Sequence, residues 1–394
     1  MLTNRQLFLN HLAQTSDIPL LLDIDKAEGI NIFDKSGKKY IDLISGISVS
    51  NLGHNNRKII DAIKMQLDKH LHLMVYGEYI QETQIQLAKK LTSLLPCPLE
   101  SVYYVNSGTE ANEGALKLAK RFTGKHKIVS FNNAYHGSTH GSLSVMGNEM
   151  YKNPFRPLLP GINILQYNDS KALNLIDKET AAVIIEPIQA ESGVNVPSKK
   201  FINDLKVKCN KTGALLIMDE IQTGFGRTGK MFGFEHFGII PDILTVAKAF
   251  GGGMPLGAFI SSKEIMHCLA DNPALGHITT FGGHPVCCAA GLESLNILTQ
   301  DDIINTVNSK ANLIIKKLNS KNIKGIRNKG LLMAVQLDNF DQVQSVIKDC
   351  LQDGIIIDWF LFCNSAIRIA PPLIITENEI NEACKIINRN IDKL

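Results

Sequence analysis

Between residues 55 and 290, stretches whose apolar residues recur with a helical period alternate with short apolar runs. In RKIIDAIKMQLDKHL, for example, Ile60, Ile63, Leu67 and Leu71 fall on one helical face. The runs SVYYVN, KIVSF, AAVIIEPI, ALLIMDE and DILTVA are short, β-branched or aromatic, and bounded by Gly, Pro or Asn, which fits strands covered on both faces. This alternation predicts βα units stacking a mainly parallel sheet with these runs at its core. After about residue 290 the rhythm changes to an amphipathic helix near 301–320, then KGLLMAVQL, a helix ending at Gly354, the strands IIIDWF and AIRIAPPL, and a closing helix. That last helix opens with Thr376, Glu377, Asn378 and Glu379, a capping box. The expected fold class is α/β, with a large domain over 51–290 and a smaller α/β domain over 291–394 to which residues 1–50 contribute.

A chain of 394 residues has room for two or three domains and a large core. The net charge is +3 with 20% charged residues, so no strong field exists to gather nucleic acid or an anionic membrane. Small molecules and a second copy of the chain are the expected partners. The amino terminus, MLTNRQLFLNHLAQTSD, lacks the continuous apolar core of a secretory signal, and nothing later reaches the roughly 18 apolar residues of a membrane span. A soluble, cytoplasmic protein is expected. The eight cysteines match neither a disulfide framework nor a metal-knuckle spacing, and are read as reduced and mostly buried.

Candidate chemistry gathers at strand ends, where open parallel sheets bind their ligands. In VNSGTEANEGALKLAKRF a strand ending near Val105 runs through Ser107, Gly108 and Thr109 into a helix, and Ser107 to Glu110 spells a capping box. Free N–H groups at such a turn suit a phosphate, although ordinary capped helices look the same. In ALLIMDEIQTGFGRTGKMFGFEHFG the strand ends at Asp219 and Glu220, and Gly224 to Lys230 spells G-x-x-x-x-G-K. A nucleotide loop fails here, because Met231 stands where a hydroxyl belongs, the loop follows the acidic strand, and no helix is expected after it. Gly224, Gly226 and Gly229 fail as a dinucleotide fingerprint for the same lack of a helix. What remains is a buried carboxylate at a strand end that needs a cationic partner, with Gln222 three residues on.

In PDILTVAKAFGGGMPLGAF, Lys248 directly follows an apolar strand, where desolvation would make its amine nucleophilic. A lysine snorkelling from a strand edge is the competing reading. Arg368 in AIRIAPPL needs a planar anion, whether from protein or substrate. In NAYHGSTHGSLS the histidines 136 and 140 lie four apart, yet Gly137 and Gly141 argue against a helix and no acid joins them, so no metal site is expected. Tyr135 reads as an aromatic lid before a tight turn. A phosphate cradle, a buried carboxylate, a lysine amine and an aromatic face together are what pyridoxal phosphate requires.

At NSGTEANE, EPIQAESGV, DEIQTGFGRTG, AKAFGGGMPLGA and HITTFGGHP the chain resembles the class III pyridoxal-phosphate aminotransferases, most closely the acetylornithine aminotransferases among them, over nearly its whole length. The resemblance implies fold type I, a homodimer with shared active sites, and the following roles. Lys248 corresponds to the lysine that carries the cofactor covalently and shuttles the substrate proton. Asp219 resembles the carboxylate that keeps the pyridine nitrogen protonated, Gln222 the partner of the phenolic oxygen, and Tyr135 the aromatic stacked on the ring. Ser107, Gly108 and Thr109 would hold the phosphate together with Thr280 of the neighbouring subunit. Arg368 is similar to the arginine that grips a substrate carboxylate, and Glu191 to the glutamate that pairs with it when a cationic or bulkier donor occupies the site.

Two positions depart from the family pattern. Ser138 stands where the acetylornithine and ornithine enzymes typically carry an arginine for the donor α-carboxylate, and Arg156 is a candidate replacement. Losing one charge-assisted pair of about 1.5 to 3 kcal/mol weakens an α-amino-acid tail by roughly one to two orders of magnitude. His284 replaces the usual Asn before Pro285. The implied activity is transfer of a terminal amino group, with N-acetylornithine the first-choice donor and 2-oxoglutarate the acceptor, in a ping-pong reaction of arginine biosynthesis. The alternatives are a transaminase of 4-aminobutyrate, ornithine, lysine or a diamine, an aminomutase, a nucleotide-dependent ATPase, and a silent cofactor-binding scaffold.

Overall fold

The computed structural model describes residues 2–394. Near the amino terminus β1 (Ile24–Glu28), β2 (Asn31–Asp34) and β3 (Lys39–Asp42) form an antiparallel meander. The large sheet has seven strands: β4 (Ser101–Val105), β5 (Lys127–Phe131), β6 (Ile162–Leu165), β7 (Thr180–Ile185), β8 (Leu215–Asp219), β9 (Ile243–Val246) and β10 (Gly257–Ser261). Their order is β4-β10-β9-β8-β7-β5-β6, parallel except for β10, which runs against both of its neighbours. Because β10 reverses twice, β4 ends on the same edge as β5, β7, β8 and β9. That edge is where the strand-end residues gather.

All five apolar runs form strands of this sheet, which has the expected α/β character. The pattern misses two of its members. β6 is only four residues long, and β10 follows a glycine-rich turn that masks its period. Their presence moves SVYYV from the core to an edge, since β4 has β10 as its one partner in the sheet. The helix Pro285–Gln300 also escapes periodicity, because its apolar residues surround it and most of them are buried. His284 caps that helix, its Nδ1 accepting the Val286 N–H at 3.3 Å, so the imidazole does the capping expected of an Asn.

Towards the carboxyl end, β11 (Gly325–Lys329), β12 (Leu332–Gln336), β14 (Asp358–Phe360) and β15 (Cys363–Ile369) make an antiparallel sheet in the order β11-β12-β15-β14. The short β13 (Ile355–Ile356) instead pairs in parallel with β3. IIIDWF, which reads as one strand, is thus divided between two sheets. The helices Ile303–Lys317, Phe340–Gln352 and Glu377–Ile391 complete this region, the last with its Thr376–Glu379 capping box formed.

The G-x-x-x-x-G-K loop serves as a structural tie. Arg227, fully buried, donates from Nη1 to the carbonyls of Leu331 at 3.0 Å and Pro371 at 2.6 Å, and from Nη2 to Ser45 Oγ at 3.2 Å. A short 3-10 turn at Gly233–His236 follows instead of the helix a nucleotide loop requires. All eight cysteines are free thiols, Cys97 alone being exposed. Among the described residues no helix is long and apolar enough to cross a membrane.

Candidate active site

A cavity of about 580 Å³ opens at the carboxyl edge of the large sheet. The chain leaves β4 at Val105, and two residues on Ser107 caps the helix Gly108–Thr123, its hydroxyl accepting the Glu110 N–H at 3.2 Å. The expected capping box is half formed. The Glu110 carboxylate reaches one residue further back, taking the Asn106 N–H at 2.6 Å and the Asn106 side chain at 2.9 Å. Gly108 and Thr109 open the helix, where N–H groups have no intrahelical acceptor, and both line the cavity.

Asp219, the last residue of β8, lies almost wholly buried across the cavity. Its Oδ2 is 2.8 Å from both Asn112 Nδ2 and His136 Nδ1, and its Oδ1 accepts the Ile221 N–H at 3.0 Å. The partners that offset its burial are therefore an amide, an imidazole and a backbone donor, not a lysine or arginine. Asn112 also donates to the His136 carbonyl at 2.7 Å, which fixes the imidazole beside the carboxylate.

Lys248 lies two residues beyond the end of β9. Its φ of +50° places a non-glycine residue in the left-handed region, a strain of about 1 to 3 kcal/mol, and its side chain lines the cavity. The ammonium donates to Gln222 Oε1 at 2.7 Å. Burial pulls its pKa down to about 8, with Arg368 adding to the shift and Glu191, Asp219 and Glu186 opposing it. A free amine is thus within reach near neutral pH. Gln222 Nε2 is buried with no acceptor, although Gln222 lines the same cavity. Tyr135 closes one side, its N–H held by Glu186 Oε1 at 3.0 Å.

A second cavity of about 330 Å³ shares Tyr135 and Lys248 with the first and is bounded by Glu191, Asp358, Trp359 and Arg368. Arg368 Nη2 donates to Glu191 Oε2 at 2.7 Å, so the two residues singled out from sequence meet there. Ser138 lies beside Tyr135, the two hydroxyl oxygens 3.4 Å apart. Arg156 does not replace the missing arginine: it pairs with Glu149 on the surface and lines neither cavity. Thr280 is exposed and lies outside both cavities of its own chain.

Sequence reasoning missed His136 and Asn112 as partners of Asp219, Glu186 beneath Tyr135, and Asp358. Each carries a signal. Asn112 is a polar residue on the buried face shared by Ala111 and Ala115, and Asp358 is an acid inside an apolar run, the feature that drew attention to Arg368. His136 and His140 part company in space: His140 starts a separate short helix while His136 turns inward to Asp219.

The family model described as Aminotransferase class-III matches residues 12–391. An acetylornithine aminotransferase of Caldanaerobacter subterraneus is 37% identical over 92% of this chain and 93% of its own. A [LysW]-aminoadipate semialdehyde/glutamate semialdehyde transaminase of Sulfurisphaera tokodaii is 38% identical, over 94% and 95%. A solved ornithine aminotransferase of Toxoplasma gondii, described with partial occupancy of PLP at its active site, superposes with a TM-score of 0.90 at 29% identity, over 98% of this chain and 92% of that one. With nearly the whole chain matched and the lysine, carboxylate and helix turn converging on one cavity, this chain belongs to the class III aminotransferase family.

Proposed function

We propose that the chain moves the terminal amino group of an ω-amino donor, N-acetylornithine first among them, to 2-oxoglutarate by a ping-pong reaction with pyridoxal phosphate in the larger cavity. The observation that carries this is the meeting of Lys248, Asp219 and the open turn Ser107–Thr109 around one space, with Gln222 Nε2 buried and lacking an acceptor. Those groups fit the cofactor's aldehyde, ring nitrogen, phosphate and phenolic oxygen in turn. When bound, pyridoxal phosphate supplies an electron-accepting ring that takes up the electron pair left as the amine-bearing carbon loses its proton.

The protein's part is to bind, orient and move protons. Ser107 and the N–H groups of Gly108 and Thr109, at the positive end of a helix, would hold the phosphate. Tyr135 would cover the ring, and Gln222 Nε2 would donate to the phenolic oxygen. Asp219, held by Asn112 and His136, keeps a proton on the ring nitrogen. Lys248 Nζ, neutral at modest cost, would take the proton from the substrate carbon and deliver it to the carbon on the other side of the transferred nitrogen, two bonds away. Arg368 receives the acceptor's carboxylate once Glu191 withdraws. Thr280 of a second copy completes the phosphate site, so the active unit is a homodimer. In this reading residues 51–290 hold the cofactor, 291–394 supply the arginine, and 1–50 join the latter; the setting is cytoplasmic arginine biosynthesis.

Ser138 favours a second reading, in which the donor has no α-carboxylate. The side chains lining the two cavities supply Lys248 and Arg368 as their only Lys or Arg cations among the described residues, so no further guanidinium awaits such a group. The deciding experiment adds N-acetylornithine, ornithine, 4-aminobutyrate, lysine and putrescine in turn to the yellow holoenzyme. Bleaching by N-acetylornithine, reversed by 2-oxoglutarate, is the expected result; bleaching by putrescine alone would select the second reading, and bleaching by none would end both.

A further inference from the structure

Arg368 carries two carboxylates, not one. Besides Glu191, the Asp358 Oδ1 lies 3.2 Å from Arg368 Nε. The remaining contacts of the guanidinium are the Trp359 carbonyl, accepting from Nη2 at 3.0 Å, and the Phe360 ring, whose centroid is 4.7 Å away. Nη1 is buried with no acceptor, and Asp358 Oδ1 has no hydrogen-bond donor in good geometry. Asp358 is the most open of the three side chains, 23% exposed against 3% for Arg368 and 5% for Glu191, and it faces the smaller cavity.

The two acids differ in how they are held. Asp358 and Arg368 are direct cross-strand partners in the β14–β15 ladder, so sheet register keeps them together. Glu191 comes from the turn after β7 and can leave without disturbing a ladder. An entering carboxylate that displaces Glu191 therefore meets an Arg368–Asp358 pair whose charges already cancel, instead of a free guanidinium. The orientation of Arg368 does not depend on the Asp358 charge, since Trp359 and Phe360 fix its plane.

We propose that Asp358 is a specificity-determining residue that weakens the hold of Arg368 on carboxylate ligands and tilts the pocket towards amines whose reacting carbon bears no carboxylate. This rests on the ω-amino reading above. Burial pushes the Asp358 carboxyl up to about 6, with Arg368 opposing and Glu191 adding, so the acid is ionised in mildly alkaline buffer.

The test is calorimetric binding of glutarate, an unreactive dicarboxylate, to wild type and Asp358→Asn in mildly alkaline, low-salt buffer. It is run on the holoenzyme and again on protein stripped of its cofactor. Asparagine keeps the size and a side-chain oxygen beside Nε while removing the charge, so glutarate is expected to bind roughly tenfold tighter in the variant. The half-reaction with glutamate should gain against the half-reaction with terminal amines by a similar ratio. Unchanged or weaker glutarate binding overturns the proposal, the weaker result assigning Asp358 to holding Arg368 in place. Should Asp358→Asn fail to fold by thermal melting, Asp358→Ala, which also removes the charge, carries the same expectation. Bleaching by terminal amines in wild type reads the ω-amino assignment separately, so either idea can fail without the other.

Discussion

The cofactor cradle and the arginine clamp stand side by side and are built on opposite plans. In the cradle, Ser107, Asp219 and Lys248 each sit within two residues of a strand end on one edge of the large sheet. Its cation is a lysine with a neutral hydrogen-bond partner, Gln222, whose charge is easily given up. In the clamp, Arg368 and Asp358 meet across two antiparallel strands of another sheet, and Glu191 arrives from a distant turn. That cation never titrates, so only its neighbours can tune its strength. In the proposed reaction, proton movement falls to a charge that can vanish, and substrate selection to one that cannot.

Breaking the cradle has the largest expected effect. Lys248→Ala should lower steady-state amino transfer by roughly 10³-fold or more, since both the covalent anchor and the proton carrier go, while cofactor fluorescence still reports some binding at the phosphate turn. A variant retaining a tenth of wild-type turnover would remove Lys248 from the chemistry. Asp219→Ala should cost roughly 10²-fold in kcat and loosen the cofactor, measured by release on gel filtration. His136→Phe, which leaves the acid but not its partner, should fall between wild type and that variant; equality with wild type would make His136 mere packing.

The cradle was legible in the sequence because its residues follow short apolar strands at fixed offsets, and a strand end plus a polar turn is visible in a single string of letters. Lys248 after DILTVA and Asp219 at the end of ALLIMD need no tertiary knowledge to be noticed. The clamp was half legible. Arg368 stood out as a charge in an apolar run, but its pairing with Asp358 depends on a register that appears only after IIIDWF divides between two sheets. Glu191 came from family resemblance, since 177 residues separate it from Arg368. The inward turn of His136 was hidden for a like reason: the carboxylate it meets lies on a different strand, 83 residues away.

Arg368→Ala sharpens the contrast at intermediate size. It should reduce kcat/KM for 2-oxoglutarate by roughly one to two orders of magnitude, the cost of about 1.5 to 3 kcal/mol for a charge-assisted pair, with a smaller loss in the ω-amine half-reaction. Equal losses in both halves would show that the arginine supports the pocket and does not select the acceptor. The variant also leaves Glu191 and Asp358 facing each other without a cation, so a lowered melting temperature is expected alongside.

The smallest effect is the most specific to the lysine. In protein stripped of cofactor, burial holds Lys248 at about 8 against an ordinary value of 10.5. The rate at which added pyridoxal phosphate restores the yellow colour should therefore reach half its plateau near pH 8. The same shift fixes a sign for stability. Below about 8 the folded and unfolded chains both hold the proton; between about 8 and 10.5 only the unfolded chain does. Unfolding then takes up a proton, so a rise in pH through that window favours the folded state. Urea titrations of stripped wild type should gain on stripped Lys248→Ala as pH rises from 8 towards 10.5. A constant difference between the two proteins, with recolouring half-maximal only near 10.5, would mean that the lysine is as well solvated as any on the surface, and the contrast between a yielding and a permanent charge would fall with it.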